Sequence, residues 1–262
     1  METLARAGYA AKGVVYFVAG VLALQVAFGA GGQTTGKGGA IRAIADEPFG
    51  NVILILLAIG LAAYALWRLG TAVLDTEQEG RDAEGWAKRI GYVGSFLAYA
   101  ALAVLSLRIV LGSSGGSGSG GSQKTESLTA LVMNQPLGRW LIAAFGVALL
   151  VRAGMEMHKS YSVKFQKELK LGEMNATMQT WAKRLGRAGL AARGIVFAII
   201  GSFFIAAAVQ ADPGEARGLG GTLETLAQQP YGPYLLGLTA AGLTAYGVYA
   251  VILARFRRVG EA

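Results

Sequence analysis

Residues 187–201 read RAGLAARGIVFAIIG, and residues 6–20 read RAGYAAKGVVYFVAG. Eight of the fifteen positions are identical, and four more exchange Lys for Arg, Val for Ile or Tyr for Phe. Each copy sets a basic residue, Lys12 or Arg193, inside an apolar run. The chain is therefore built by repetition, and the repeated unit is a hydrophobic helix with a buried charge.

The composition places that unit in a membrane. The 262 residues are 53% hydrophobic and 15% charged, where a soluble domain carries about a quarter charged residues. Segments 7–28, 50–70, 91–111, 138–157, 188–210 and 231–254 each approach the ~20 residues that cross ~30 Å of hydrocarbon. Lipid leaves no partner for a free backbone amide, so such runs are helices rather than open strands. The first run also resembles a secretory signal, with Arg6 and Lys12 ahead of an apolar core and Ala27-Phe28-Gly29 behind it. Its internal twin at 187–210 cannot be cleaved by a signal peptidase, so the first copy is expected to stay as a span.

Basic residues give an orientation. Eighteen of the 24 Lys and Arg lie at the termini, in 71–90, in 158–187 or near those helix ends. The remaining six are Lys37, Arg42, Arg108, Lys124, Arg139 and Arg217. The positive-inside rule then predicts a multi-pass protein of the plasma membrane with both termini in the cytoplasm. The net charge of +8 points to anionic lipid headgroups on that face as partners, not to nucleic acid.

Three units share one plan: an odd span, a short outer segment, a Pro-x-Gly turn and an even span. The turns are Pro48 to Gly50, Pro136 to Gly138 and Pro230 to Gly232, with proline read as part of the first helical turn. Before them stand Ile41 and Ile44, Leu128 and Leu131, and Leu223 and Leu226, spaced as in short amphipathic helices lying on the outer surface. The units divide the chain into 1–75, 76–160 and 181–262, with 161–180 as a cytoplasmic amphipathic linker. Phe165, Leu169, Met174 and Met178 give that linker its apolar face, whereas 75–85 is an acidic loop and 112–122 a Gly/Ser-rich one. Trp86-Ala87-Lys88-Arg89 and Trp181-Ala182-Lys183-Arg184, together with Arg6 and Arg187, read as headgroup anchors. All units run the same way, so the expected fold is all-α: six transmembrane helices in a pseudo-threefold bundle of parallel repeats.

The motif R-x-G-x-x-A-[KR]-G, followed each time by a Q-P-x-G-led helix, resembles a bacterial membrane family of unknown function, domain twelve-hundred-and-six. Repeats one and three carry it well. Repeat two departs, with Tyr92 for the arginine, Ala98 for the basic residue and Tyr99 for the second glycine. The resemblance implies three tandem two-helix repeats in a plasma membrane, and no activity.

Several chemical motifs fail on inspection. Gly31–Gly38 nearly fits a phosphate-binding loop but has Gly38 at the hydroxyl position and no preceding strand. Gly112-Ser113-Ser114-Gly115-Gly116 fits the nucleophile pattern G-x-S-x-G without a histidine on the same side. Asn175-Ala176-Thr177 is a sequon in a cytoplasmic position, and His158 reads as an interfacial, solvated histidine. With no cysteine and one histidine, thiolate chemistry and His-based metal sites are absent, so neither enzyme activity nor a cofactor is expected.

What remains is charge inside the membrane. Lys12 and Arg193 are repeat equivalents, six residues inside Arg6 and Arg187. Repeat two has Ala98 there, but its even helix carries Arg152 where the others have Tyr64 and Tyr246. Arg152 lies fourteen residues past Gly138, at a matching depth, with Glu156 one turn on. Unpaired cations in hydrocarbon cost several kcal/mol, so Lys12, Arg152 and Arg193 are the candidate site for an anion or a lipid phosphate. The competing reading has each side chain snorkel to the headgroups. Glycines 189, 194, 201, 237, 242 and 247 are read as close-approach points between helices. The functional expectation is a non-enzymatic lipid- or partner-binding membrane component; the alternative is a small transporter or channel for an anion along the pseudo-threefold axis.

Overall fold

The structure, a computed structural model, describes residues 2–31, 34, 36–74, 83–112, 121–162, 166 and 169–257. Among them it is all-helical, with no strand beyond one isolated bridge between Leu169 and Arg257. The long helices are α1 (Glu2–Ala27), α3 (Gly50–Leu74), α4 (Ala83–Val110), α6 (Gly138–Ser162), α7 (Ala176–Gln210) and α9 (Gly232–Phe256). All six are long and apolar enough to cross a membrane. Three short helices join them on one face: α2 (Lys37–Ala45), α5 (Gly121–Met133) and α8 (Leu219–Gln228).

The even helix of each repeat packs along the odd helix of the next: α3 on α4, α6 on α7, and α9 back onto α1. This cyclic pattern is the pseudo-threefold. Small residues allow the close crossings. A Cβ on Gly13 of α1 would stand 2.8 Å from the Gly247 carbonyl oxygen of α9, and one on Gly247 the same distance from that of Gly13. Gly146 of α6 and Gly201 of α7 form a second reciprocal pair at 2.9 Å. Gly189, Gly194 and Gly242 are similarly crowded by Tyr246, Met157 and Ala192, whereas Gly237 makes ordinary contact with Ala27.

The symmetry is broken in repeat two. Within repeats one and three the two helices also pack on each other, α1 on α3 and α7 on α9, but α4 and α6 have no extensive contact among the described residues. Buried shares of 17% for α4 and 22% for α6, against 44–50% for the other four, set repeat two at the periphery. Gly94, at the position of Gly8 and Gly189, has nothing near it. Repeat two contributes less than a third of the core.

Three details differ from the sequence reading. Proline is not in the even helix. The Gly50 N–H donates to the Glu47 carbonyl (2.8 Å), so Pro48 and Phe49 are the central pair of a tight turn preceding α3. Phe49, Leu137 and Tyr231 all have positive φ (61°, 64° and 62°) at that second central position, as in a type II turn. The glycine after each is needed because a Cβ at Gly50, Gly138 or Gly232 would strike the carbonyls that end the preceding short helix. Second, the short helices do not all bury the expected apolar pair. Ile41, Ile44 and Leu223 are buried, as expected of amphipathic helices, but α5 turns Thr129 inward and leaves Leu128 and Leu131 exposed. Third, the linker before α7 is not an amphipathic helix. Leu169 is buried, the Lys170 N–H donates to the Phe256 carbonyl (2.8 Å), and residues 171–173 form a single 3-10 turn. Asn175 then caps α7, its side chain accepting from the Met178 N–H at 2.7 Å, which gives the Asn-x-Thr sequence a structural role. Phe165, most of 75–85 and residues 113–120 of the Gly/Ser segment lie outside the described residues.

The broken symmetry is testable with two equivalent substitutions. Gly8→Ala would drive a methyl group into Tyr64 and is expected to cost about 1–3 kcal/mol. Gly94→Ala meets open space and is expected to be neutral or to stabilise by up to ~1 kcal/mol through helix propensity. Thermal unfolding of the two variants in detergent checks the contrast.

Candidate functional site

The site starts from one face of α1. Tyr9, Lys12 and Tyr16 recur at the spacing of a single helical face, and all three are buried. Opposite them α3 presents Tyr64, Trp67 and Arg68, and α9 presents Tyr246 and Tyr249. Tyr99 enters from α4, and Arg193 with Phe197 from α7. Tyr9 meets Tyr64 edge-on at 5.4 Å between ring centroids, Tyr64 meets Tyr99 at 4.5 Å, and Tyr16 meets Tyr246 at 4.9 Å. These rings make a continuous tyrosine cluster around the two conserved-in-repeat cations.

The Lys12 ammonium stands over three faces: Tyr9 at 5.6 Å, Tyr64 at 5.5 Å and Tyr246 at 5.3 Å. No described carboxylate pairs with it. The Arg193 guanidinium lies 4.3 Å from Tyr246, 5.1 Å from Phe197 and 5.6 Å from Tyr16. Each such contact is worth ~0.5–2 kcal/mol depending on desolvation. Arg193 also pairs with Glu156 of α6 (3.3 Å), whose same oxygen accepts from Arg152 at 2.7 Å. The second Glu156 oxygen and the Arg193 Nε–H are buried with no hydrogen-bond partner.

Of the predicted trio, Lys12 and Arg193 therefore converge in the interior, each 7% exposed. Arg152 does not: its side chain is 47% exposed, because peripheral α6 directs only Glu156 inward. The trio shares a level, since Arg152 and Arg193 meet one Glu156 oxygen and Lys12 and Arg193 share the Tyr246 ring, but it is not a ring of inward cations. It is two interior cations, plus an outer arginine on the carboxylate that pairs with Arg193.

The predicted headgroup anchors divide. Trp86, Trp181, Lys183, Arg184 and Arg187 are exposed, whereas Arg6 and Lys88 are partly buried. Arg89 instead caps α3, donating to the Ala72 and Val73 carbonyls at 2.8 and 3.0 Å. Arg257 stacks over Tyr9 (4.8 Å) and Trp67 (5.2 Å), closing the base of the cluster. Burial pushes its guanidinium down to about 10, still charged at neutral pH. His158 is exposed, and no group of three His, Asp or Glu suited to a metal occurs among the described residues.

Above the cluster, beneath the short helices, lies a cavity of about 320 Å³. Its floor holds Tyr16 and Arg193, one wall is apolar with Val196, Phe197, Ile200 and Leu243, and its rim is Gly36 to Gly38, Thr125 and Gly218 to Gly220. Lys37 reaches down from the start of α2, its ammonium 4.9 Å over Tyr16 and 5.0 Å over Tyr99. Sequence reasoning did not find this rim. The available signal was G-x-G-G twelve residues before the turn proline in repeats one and three: Gly36 to Gly39 and Gly218 to Gly221. Repeat two has Lys124 to Ser127 in that register, preceded by one extra turn of helix. The near-phosphate-loop match at 31–38 overlaps the first of these runs; positions 32, 33 and 35 lie outside the described residues.

The internal threefold, the Pro-x-Gly turns and the paired basic residues define a lineage. The family described as Domain of Unknown Function (DUF1206) matches three times, over residues 7–75, 90–162 and 188–257. The chain belongs to this family. It is also 38% identical over 252 residues to the uncharacterized protein YxxB of Bacillus subtilis (strain 168), covering 96% of this chain and 90% of that one. No solved structure matches.

The Glu156 bridge carries a prediction for this DUF1206 protein. Removing one partner of a buried ion pair strands the other charge, so Glu156→Gln is expected to lose about 3–5 kcal/mol. Replacing both partners, Arg193→Met with Glu156→Leu, is expected to restore most of that stability. Thermal unfolding of the single and double variants in detergent measures both.

Proposed function

We propose that this protein is a non-enzymatic, multi-pass component of the plasma membrane that binds a small anion within its helix bundle and moves it across the bilayer. One observation carries the reading: Lys12 and Arg193 are buried among tyrosines inside the bundle, with Glu156 as the single carboxylate beside them among the described residues. Side chains that served only as headgroup anchors would extend to the interface. Lys37 and Arg68 add further positive charge at the same cluster. An excess of interior cations in low dielectric favours anionic occupants.

The lipid-binding reading has support of its own. Arg152 is half exposed on the peripheral helix α6, within reach of a lipid phosphate outside the bundle. In this view anionic lipid is a structural partner at the periphery and the interior remains the solute site.

The cysteine-free chain suits a test of orientation. With both termini cytoplasmic, Glu47→Cys is expected to react with an impermeant maleimide on intact cells, and Gly172→Cys after permeabilisation only. The reverse pattern refutes the assigned orientation. Transport is tested in phosphatidylcholine proteoliposomes by currents on jumps of chloride, phosphate or benzoate. At least one is expected to exceed the signal of empty liposomes and to fall ten-fold or more with Arg193→Gln. Silence with all three anions ends the transport reading.

A further inference from the structure

The cavity beneath the short helices brings together features that point to a ligand. The first is uncapped helix ends. A helix leaves its first N–H groups without intrahelical partners, and side chains of Ser, Thr, Asp or Asn usually accept them. Here the N-cap residues of α2 and α8 are Gly36 and Gly218, which have no side chain to do so. The two ends are adjacent: a Cβ on Gly36 would lie 3.5 Å from the Gly220 nitrogen, and one on Gly218 would lie 3.1 Å from Thr125 Oγ1. Each helix N-terminus carries about half a positive charge. Two such ends facing one cavity repel each other unless negative charge lies between them.

The second feature is independent of the helix ends. Arg193 lines the floor of the same cavity, is only 7% exposed, and has a buried Nε–H with no hydrogen-bond partner. Lys37 stands at the rim, without a described carboxylate to pair it. An anion in the cavity would lie among these positively charged groups.

Depth is the third feature. Lys37 lies over Tyr16, which is eleven residues from the end of α1. At 1.5 Å per residue the Tyr16 backbone is about 16 Å below the helix end, and the long Lys37 side chain carries its charge from the start of α2 to the Tyr16 ring.

Size and wall chemistry select the ligand. At ~30 Å³ per water, a cavity of 320 Å³ accommodates about ten non-hydrogen atoms. Inorganic phosphate has half that number and would leave Val196, Phe197, Ile200 and Leu243 facing empty space. We propose that this cavity binds a small organic oxyanion, its carboxylate or phosphate held by Lys37, Arg193 and the first-turn amides of α2 and α8, and its apolar body against α7 and α9. The proposal rests on the anion-binding reading above and assigns it a site and a ligand class.

The test uses the full chain in phosphatidylcholine nanodiscs, with radiolabelled benzoate in equilibrium dialysis and neutral benzamide as the isosteric control. Saturable benzoate binding above empty nanodiscs, without benzamide binding, is the expected result. Lys37→Gln is expected to weaken binding about ten-fold or more, the scale of one lost charge-assisted hydrogen bond. Leu219→Glu places a carboxylate at the start of α8 and is expected to abolish binding while thermal stability is held or raised, since acids favour helix N-termini. That variant keeps the test decisive if Arg193→Gln fails to fold. Equal benzoate affinity in wild type, Lys37→Gln and Leu219→Glu overturns the site. Absence of benzoate binding overturns the ligand class, and if chloride or phosphate still drives current the anion reading survives without it. Competition by inorganic phosphate alone, lost in Leu219→Glu, overturns the role of the apolar wall. Displacement of benzoate by phosphatidate added to the nanodiscs identifies a lipid phosphate as the source of the same chemistry and overturns a soluble ligand.

Discussion

A cation inside a membrane bundle has to be neutralised or solvated by the protein itself, and the placement of Lys12 and Arg193 governs what surrounds them. Their desolvation would cost several kcal/mol if unopposed. The chain answers with two devices. Tyrosine faces from α1, α3 and α9 enclose the Lys12 ammonium, and Glu156 of α6 reaches across to Arg193. The first device draws repeats one and three together through Tyr64 and Tyr246. The second ties repeat two to the rest, beside the hydrogen bonds that Arg89, Arg139 and Ser160 donate to carbonyls of the neighbouring repeats.

The same interaction explains why the threefold is imperfect. Three equivalent buried cations would repel one another with one carboxylate to share. Repeat two has Ala98 in place of the base and contributes Glu156 at the position where repeat one has Arg68 and repeat three Ala250. Freed of a buried cation, α4 loses the glycine-mediated packing of its counterparts, and Gly91 and Gly94 face open space. Divergence in chemistry and looseness in packing thus fall in the same repeat, the one that supplies the counter-charge.

The short helices convert this charge pattern into an accessible site. Each even helix must begin within contact distance of the carbonyls that end the short helix before it, which requires the glycine of Pro-x-Gly and forces Phe49, Leu137 and Tyr231 into the left-handed region. The glycine N-caps of α2 and α8 meet at the rim of the cavity whose floor holds Arg193. Hydrophobic burial of Ile41, Ile44 and Leu223 holds the two short helices against the bundle.

Local rules acting along the chain determined a good deal: six spans from the length of apolar runs, three repeats from RAGYAAKG and RAGLAARG, the turns from Pro-x-Gly, and the basic residues placed at depth by helical rise. The Glu156–Arg152 pair was legible too, because residues four apart share a helix face. What only the tertiary structure decided depends on how helices face one another. Periodicity in a span that is apolar all round does not say which face is inside, so the tyrosine cluster, the outward Arg152 and the inward Arg193 emerged with packing. The buried Leu169 linker and the cavity rim likewise follow from contacts between residues far apart in sequence. The glycines at 36 and 218 were visible as composition; their meaning required seeing two helix ends brought to one place.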